Sequence, residues 1–223
     1  MNDISIFDII GPNMIGPSSS HTAGALRIAH LAGKLVRGKI VRAIFTLYGS
    51  FAWTYHGHGT DRALVGGILG FTTDDERIRD SFALAEEAGI DFQFVENKTE
   101  KDVHPNTVDI HLETDEGYSV DLRGESIGGG NALIRRLNGI DVELTGAYPT
   151  LIIKHIDAKG VLAYITTMCS GIDLNIAFMK VYRESKGKNA YTIIETDSPI
   201  NPSIIHALEC HESILAASIV PAI

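Results

Sequence analysis

The spacing of apolar positions changes twice along the chain, and each change predicts a different architecture. From Thr22, the apolar residues Ala25, Ile28, Ala29, Ala32, Leu35 and Val36 recur three and four positions apart, as on one face of a helix, and Gly38 follows as a stop. The run VRAIFTLYGSF from Val41 is rich in β-branched and aromatic residues and predicts a strand ending near Gly49. Two more helices are predicted over 62–69 and 75–88, the second stopped by Gly89. The period then becomes two in IDFQFVE, VDIHLET, YSVDLRG and IDVEL. Val108, Ile110 and Leu112 share one face there, as do Tyr118, Val120 and Leu122, and then Ile140, Val142 and Leu144. Turn chemistry at Asp115 to Gly117 and at Asn138-Gly139 separates these runs.

After Gly146 to Pro149 the pattern restarts. TLIIKHI, LNIAFMKVYRE, AYTIIET and SILAASIV read as strands, with VLAYITTMCSG and PSIIHALEC as helices, which gives the order βαββαβ of a ferredoxin-like unit. The expected fold is α+β. Residues 1–147 should form helices packed on a mostly antiparallel sheet, and residues 148–223 the ferredoxin-like unit.

Composition narrows the function classes. With 223 residues, 44% of them hydrophobic, the chain can bury a core for one or two domains. Its 28 acidic and 19 basic side chains leave a net charge of −9, and no basic block offsets it, so nucleic acid is not an expected partner. No apolar run reaches the roughly 18 to 20 residues of a membrane helix, and the start MNDISIFDII lacks the basic region of a signal peptide. A cytoplasmic protein without membrane attachment is expected. Cys169 and Cys210 lie outside any C-x-x-C pattern and read as reduced, buried thiols.

Four short segments carry candidate chemistry. GPSSSHTAG, residues 16–24, precedes the first helix, so Ser20 or Thr22 can cap it; equally, its backbone N–H groups with Ser18, Ser19, Ser20 and His21 can cradle a carboxylate or phosphate. No nucleophile elbow of the G-x-S-x-G type is present, which makes these serines binders rather than nucleophiles. In YHGHGTD, residues 55–61, two histidines flank a glycine; the pair is a weak zinc pattern and a better proton-transfer loop, because free imidazole titrates near ~6.5. HPNT, residues 104–107, places His104 before a proline and Asn106 at a turn. SIGGGN, residues 126–131, lets a strand bend or a backbone approach closely, and lacks the spacing of a dinucleotide fingerprint.

In this order, GPSSSHTAG with the preceding FDIIGPNMIG, then GHGTD, HPNT and SIGGG, resemble the β subunit of the two-subunit, iron-sulfur-dependent bacterial L-serine dehydratases. The resemblance spans nearly the whole chain. It implies a carboxy-terminal ACT domain over 148–223, and an amino-terminal part similar to the allosteric substrate-binding domain of some phosphoglycerate dehydrogenases. It further implies conversion of L-serine to pyruvate and ammonia without pyridoxal phosphate, at a 4Fe-4S cluster with one open iron. Such a cluster takes three cysteine thiolates, and this chain has two cysteines, so an α subunit should hold the cluster and this chain no metal.

Carried over by motif, His58 corresponds to the proposed catalytic base. Ser18, Ser19, Ser20, His21, Thr60, His104 and Asn106 would contact the substrate. In the ACT unit, Asp157 and Gly160 before the helix and Asn175 on the next strand are candidate regulatory-ligand contacts; a capping Asp and a permissive Gly are the alternative, and Ala158-Lys159 stands where Lys-Pro is common. Self-association through the residues after Pro149 is also expected. Two further readings stay open: a stand-alone amino-acid sensor without catalysis, and a mononuclear metal hydrolase using His56, His58 and His104.

Overall fold

The computed structural model describes residues 12–222. The MNDISIFDII start and the first part of FDIIGPNMIG therefore lie outside the described residues. The chain divides after Gly139 into two compact units.

Helix formation in the first unit begins with a π-helical turn, Ser19–Gly24, that leads into α1, Ala25–Lys34. Ser18 caps the turn by accepting from the His21 backbone N–H at 3.1 Å. The cap is thus Ser18, neither Ser20 nor Thr22, because Thr22 is buried and its hydroxyl points inward. α1 buries Leu26, Ile28, Ala29 and Leu31. Each of its buried Leu and Ile side chains taken from water contributes about 1.5–3 kcal/mol.

β1, Ile40–Tyr48, ends one residue before the glycine that the pattern marks, and a short helix not predicted from the sequence follows, α2, Gly49–Thr54. The aromatic content of FAWTY favours extension, but tertiary contacts override it. α3 spans Thr60–Ile68. The helix predicted over 75–88 is split into a 3-10 turn, Glu76–Asp80, and α4, Ser81–Glu87.

The strands β2, Asp91–Asn97; β3, Thr107–Thr114; β4, Ser119–Gly128; and β5, Asn131–Leu137, join β1 in one sheet ordered β2-β1-β3-β4-β5, and β6, Ile140–Leu144, is the first strand after the division. β1 and β2 are parallel, whereas β1/β3, β3/β4 and β4/β5 are antiparallel. Phe45 pairs with Ile110 and Ile110 with Leu122, so buried positions stack across the sheet. β5 escaped the period-two reading because its alternation breaks. Arg123 pairs with Arg136 and Gly124 with Ile134, a bulge that leaves Arg135 out of the ladder.

The second unit contains β7, Thr150–Ile156; α5, Val161–Gly171; β8, Ile176–Arg183; β9, Asn189–Thr196; α6, Ser203–Glu209; and β10, Ile214–Val220. Its sheet order is β10-β7-β9-β8, every neighbouring pair antiparallel, and the βαββαβ order is the one the pattern predicts. Leu151, Ile153, Val161, Ile165, Cys169, Ile194 and Leu208 form its core. Cys169 is buried but Cys210 is exposed, which corrects the expectation of two buried thiols. Cys210 immediately follows α6, where the end of the helix turns its side chain outward. The fold as a whole is α+β.

Candidate functional site

Antiparallel pairing gathers three of the four motifs at one end of the first sheet. Leu47 near the end of β1 lies opposite Val108 at the start of β3, and Thr107 lies opposite Glu125 near the end of β4. YHGHGTD follows β1 through α2, HPNT precedes β3, and SIGGGN links β4 to β5. The fourth motif joins them from the π-helical turn, where a Cβ on Gly24 would meet Ser126 Oγ at 2.0 Å and its Cβ at 2.7 Å. Only glycine permits that approach.

The chain reverses from β1 into α2 at Gly49, whose φ of +49° is left-handed. A Cβ there would stand 2.7 Å from Pro105 O and 2.8 Å from its Cα, and the Phe51 N–H donates to Pro105 O at 3.3 Å. The HPNT turn thus fixes where α2 begins. Within that turn His104 Nδ1 accepts from the Asn106 N–H at 3.2 Å, and Thr107 Oγ1 donates to His104 O at 2.7 Å. Asn106 and Ser126 are linked by the Ser126 N–H to Asn106 O, 2.9 Å.

His21 and His58 meet at the centre. Their ring centroids are 4.9 Å apart, and Phe51 presents an edge-on contact to His21 at 5.3 Å. Thr22 Oγ1 donates to the His58 carbonyl oxygen at 2.9 Å, tying the first motif to the second. Ser50 Oγ lies 2.9 Å from His21 Nε2, and Ser18 Oγ lies 3.4 Å from His21 Nδ1. Burial, and secondarily the neighbouring His58, holds the His21 imidazole below the ordinary histidine value. It is therefore neutral at physiological pH. His58 Nδ1, Thr60 Oγ1 and Ser126 Oγ are buried without a hydrogen-bond partner among the described residues. Such orphans are uncommon inside proteins and mark places where a ligand or partner completes the bonding.

Among the residues singled out from sequence, the structure brings Ser18, His21 and His58 into direct contact or hydrogen-bond range. Ser19 and Ser20 lie in the same turn, Thr60 opens α3, and His104 and Asn106 share the turn on which α2 starts. His56 does not join this group through any of these bonds: it is exposed and its Nδ1 pairs at 2.8 Å with the buried carboxylate of Asp61. Among the described residues no three His, Cys, Asp or Glu side chains gather as a metal site. Ser50 was not singled out from sequence. Its only signal is a Gly-Ser step at a strand end, too common to mark a site.

The regulatory candidates lie in the second unit. Asp157 Oδ2 accepts from the Gly187 N–H and from Arg183 Nη1, both at 3.2 Å; the Gly187 bond first, and Arg183 after it, hold its carboxyl below the usual range. Gly160, φ +88°, directly precedes α5. Asn175 stands ahead of β8 rather than on it, donating to Asp197 Oδ2 at 2.8 Å. The 11 residues of α5, about 16 Å of helix, separate Gly160 from the turn holding Asn175, so the two do not converge within one chain.

A shallow concavity of about 190 Å³ lies elsewhere, on the sheet face that carries Thr46, Asp109, His111, Asp121 and Arg123. Its charges are already matched, Asp109 by Arg123 at 2.6 Å and His111 by Asp121 at 2.7 Å. The histidine cluster is the better candidate because His58 Nδ1, Thr60 Oγ1 and Ser126 Oγ there are buried and unpartnered among the described residues.

Fold and site together define an α+β chain that presents two touching histidines and a hydroxyl-rich turn at one end of a sheet. Residues 5–137 match the model of the serine dehydratase beta chain family. The chain is 42% identical over 209 residues to the L-serine dehydratase beta chain of Peptoniphilus asaccharolyticus, covering 93% of this chain and 94% of that one. It is 45% identical over 205 residues to the probable L-serine dehydratase beta chain of Bacillus subtilis (strain 168), covering 92% of each. L-serine dehydratase 2 of Escherichia coli (strain K12) is 37% identical over 76 residues, 32% of this chain but 16% of that one. The chain belongs to the serine dehydratase beta chain family.

Proposed function

We propose that this chain is the β subunit of an L-serine dehydratase and supplies one wall of an active site shared with an α subunit. The observation that carries the reading is the His21–His58 contact, locked by the Thr22 bond to the His58 carbonyl. The partial match to L-serine dehydratase 2 of Escherichia coli, 32% of this chain but 16% of that one, also supports it, since most of that longer enzyme lies outside the matched stretch. In this reading the substrate carboxylate docks on the Ser18 to His21 turn, where helix N–H groups and hydroxyls favour an anion. Asn106 and His104 border it, and Thr60 gains a partner for its hydroxyl.

His58 takes the α-proton. In this reading Nε2 takes the proton, and Nδ1, buried and unpartnered among the described residues, gains its hydrogen-bond partner in the assembled site. A general base must be neutral and within about 3 Å of the proton in the bound state. The neutral His21 beside it leaves room for one positive charge when His58 is protonated. The enamine left after loss of the hydroxyl hydrolyses to pyruvate and ammonia.

The residues of this chain do not fit a 4Fe-4S cluster: Cys169 is buried in the second unit's core and Cys210 is exposed, and a cluster needs three thiolates. The reading assigns the cluster, which would act on the substrate hydroxyl, to the α subunit, and places the complex in the cytoplasm. We further propose that the second unit is an ACT domain that self-associates. Asp157 or Asn175 would bind an effector only by exchanging the bonds they now make to Arg183, Gly187 and Asp197.

The test is pyruvate formation from L-serine by each purified chain alone and by the mixture, under anaerobic conditions. Activity in the mixture alone is expected, and His58→Ala should lower it about 100-fold or more, the range of a lost general base. Near-normal turnover by that variant would remove His58 from the mechanism. Serine binding by this chain with no partner captured would favour a sensor instead.

A further inference from the structure

Ser50 belongs to none of the four motifs, yet its hydroxyl makes the shortest hydrogen bond to either imidazole ring of the cluster, 2.9 Å to His21 Nε2. It sits on the second residue of α2, directly after the left-handed Gly49 wedged against Pro105, so its position is set by backbone rather than by its own rotamer alone. The Thr54 hydroxyl donates to the Ser50 carbonyl at 2.8 Å, a bond that does not involve the Ser50 hydroxyl.

The bonding around His21 is asymmetric. Ser18 Oγ already accepts the His21 backbone N–H at 3.1 Å, which leaves its own proton to give, and it stands 3.4 Å from Nδ1. Ser50 Oγ makes the closer contact at Nε2. A neutral imidazole has one donor and one acceptor nitrogen. One arrangement puts the proton on Nε2, donated to Ser50 across the 2.9 Å contact, with the Ser18 hydroxyl turned to Nδ1; the reverse would leave the ring N–H with the longer 3.4 Å contact.

We infer that Ser50 is a positioning residue of the serine-dehydrating site: its hydroxyl holds His21 as the Nε2–H tautomer and fixes the plane of that ring against His58. The inference rests on the reading of His58 as the base. The His21 ring is pinned by Ser50 on one edge, by Ser18 on the other and by Phe51 across its face, so His58 packs against a wall that does not rotate. Without the Ser50 hydroxyl, His21 Nε2–H has no acceptor among these neighbours. The ring is then free to exchange tautomers and turn.

The experiment is nitrogen-15 NMR of the histidine rings in the full-length chain, for wild type, Ser50→Ala, Ser50→Thr and Thr54→Val, with kcat and KM of each in the reconstituted enzyme. Wild-type His21 should show the Nε2–H signature, Ser50→Ala a mixture of tautomers with kcat down about tenfold, the scale of one hydrogen bond lost in a buried site. Ser50→Thr keeps the hydroxyl and should restore the signature, and Thr54→Val should not change it. An Nδ1–H signature in wild type, or an unchanged His21 spectrum in Ser50→Ala, overturns the inference. Because the tautomer is read without turnover, a His58→Ala enzyme that stays active would refute the base assignment while leaving the tautomer result standing.

Discussion

Thr22 and His58 are 36 positions apart, and a 2.9 Å hydrogen bond from the Thr22 hydroxyl to the His58 carbonyl joins them. The bond holds backbone rather than ring. It therefore sets where the imidazole starts from, not which way it points.

Thr22→Val keeps the shape of the side chain and deletes this bond. It should destabilise the chain by about 1 kcal/mol, because a part-buried carbonyl loses its donor, and should lower turnover of the reconstituted enzyme while leaving the fold intact. Urea unfolding and kcat measured on the same preparation check both effects. Unchanged turnover would separate the Thr22 bond from catalysis.

The Gly24–Ser126 contact predicts a non-additive pair. Gly24→Ala places a methyl 2.0 Å from Ser126 Oγ and 2.7 Å from its Cβ, which neither group can absorb without backbone movement. A loss of about 1–3 kcal/mol is expected, the usual scale of overpacking. Adding Ser126→Gly should recover most of it. A double-mutant cycle with no coupling would contradict the contact.

His111 predicts a pH dependence of stability unrelated to the site. Burial disfavours its charged form, but hydrogen bonds to Asp121 at 2.7 Å and Glu113 at 3.1 Å outweigh that and raise its pKa. A raised folded-state pKa contributes stability that is fully present below the unfolded value of about 6.5 and is lost as pH rises through the folded value. His111→Gln should thus cost more stability at about pH 5.5 than at about pH 9. Equal losses at the two pH values would show that the carboxylates do not favour the protonated ring.

The two thiols should react in two stages. Cys210 is exposed, whereas Cys169 is buried and burial pushes its thiol pKa up. A chromogenic disulfide reagent should modify one thiol of the native chain rapidly and the second only in denaturant. Rapid loss of both in the native state would place Cys169 within reach of solvent.

Periodicity recovered the elements whose neighbours agree with their own sequence. β3 alternates cleanly through Val108, Ile110 and Leu112, and the Asn138-Gly139 step turns with φ of +47° and +81° at the two residues, the geometry its sequence favours. Elements shaped by distant contacts were not legible. α2 begins where Pro105 meets Gly49, some fifty residues away, and β5 loses its alternation to a bulge at Arg135. The four motifs could be found in sequence, but their meeting depends on strand register, which no local window contains. Ser50 stayed hidden for the same reason, since its partner His21 lies 29 positions earlier.

The Gly49–Pro105 wedge gives the site a ruler as well as a support. The stretch between the end of β2 at Asn97 and His104 makes none of the cluster's hydrogen bonds described above, so an inserted tag is better tolerated there than in the turn that follows. From His104 to Thr107 the spacing is rigid, because one added residue would slide Pro105 away from Gly49 and unseat α2 with Ser50 upon it. Anyone transplanting this histidine pair onto another scaffold would have to carry that four-residue turn along with the strand-to-helix joint it braces.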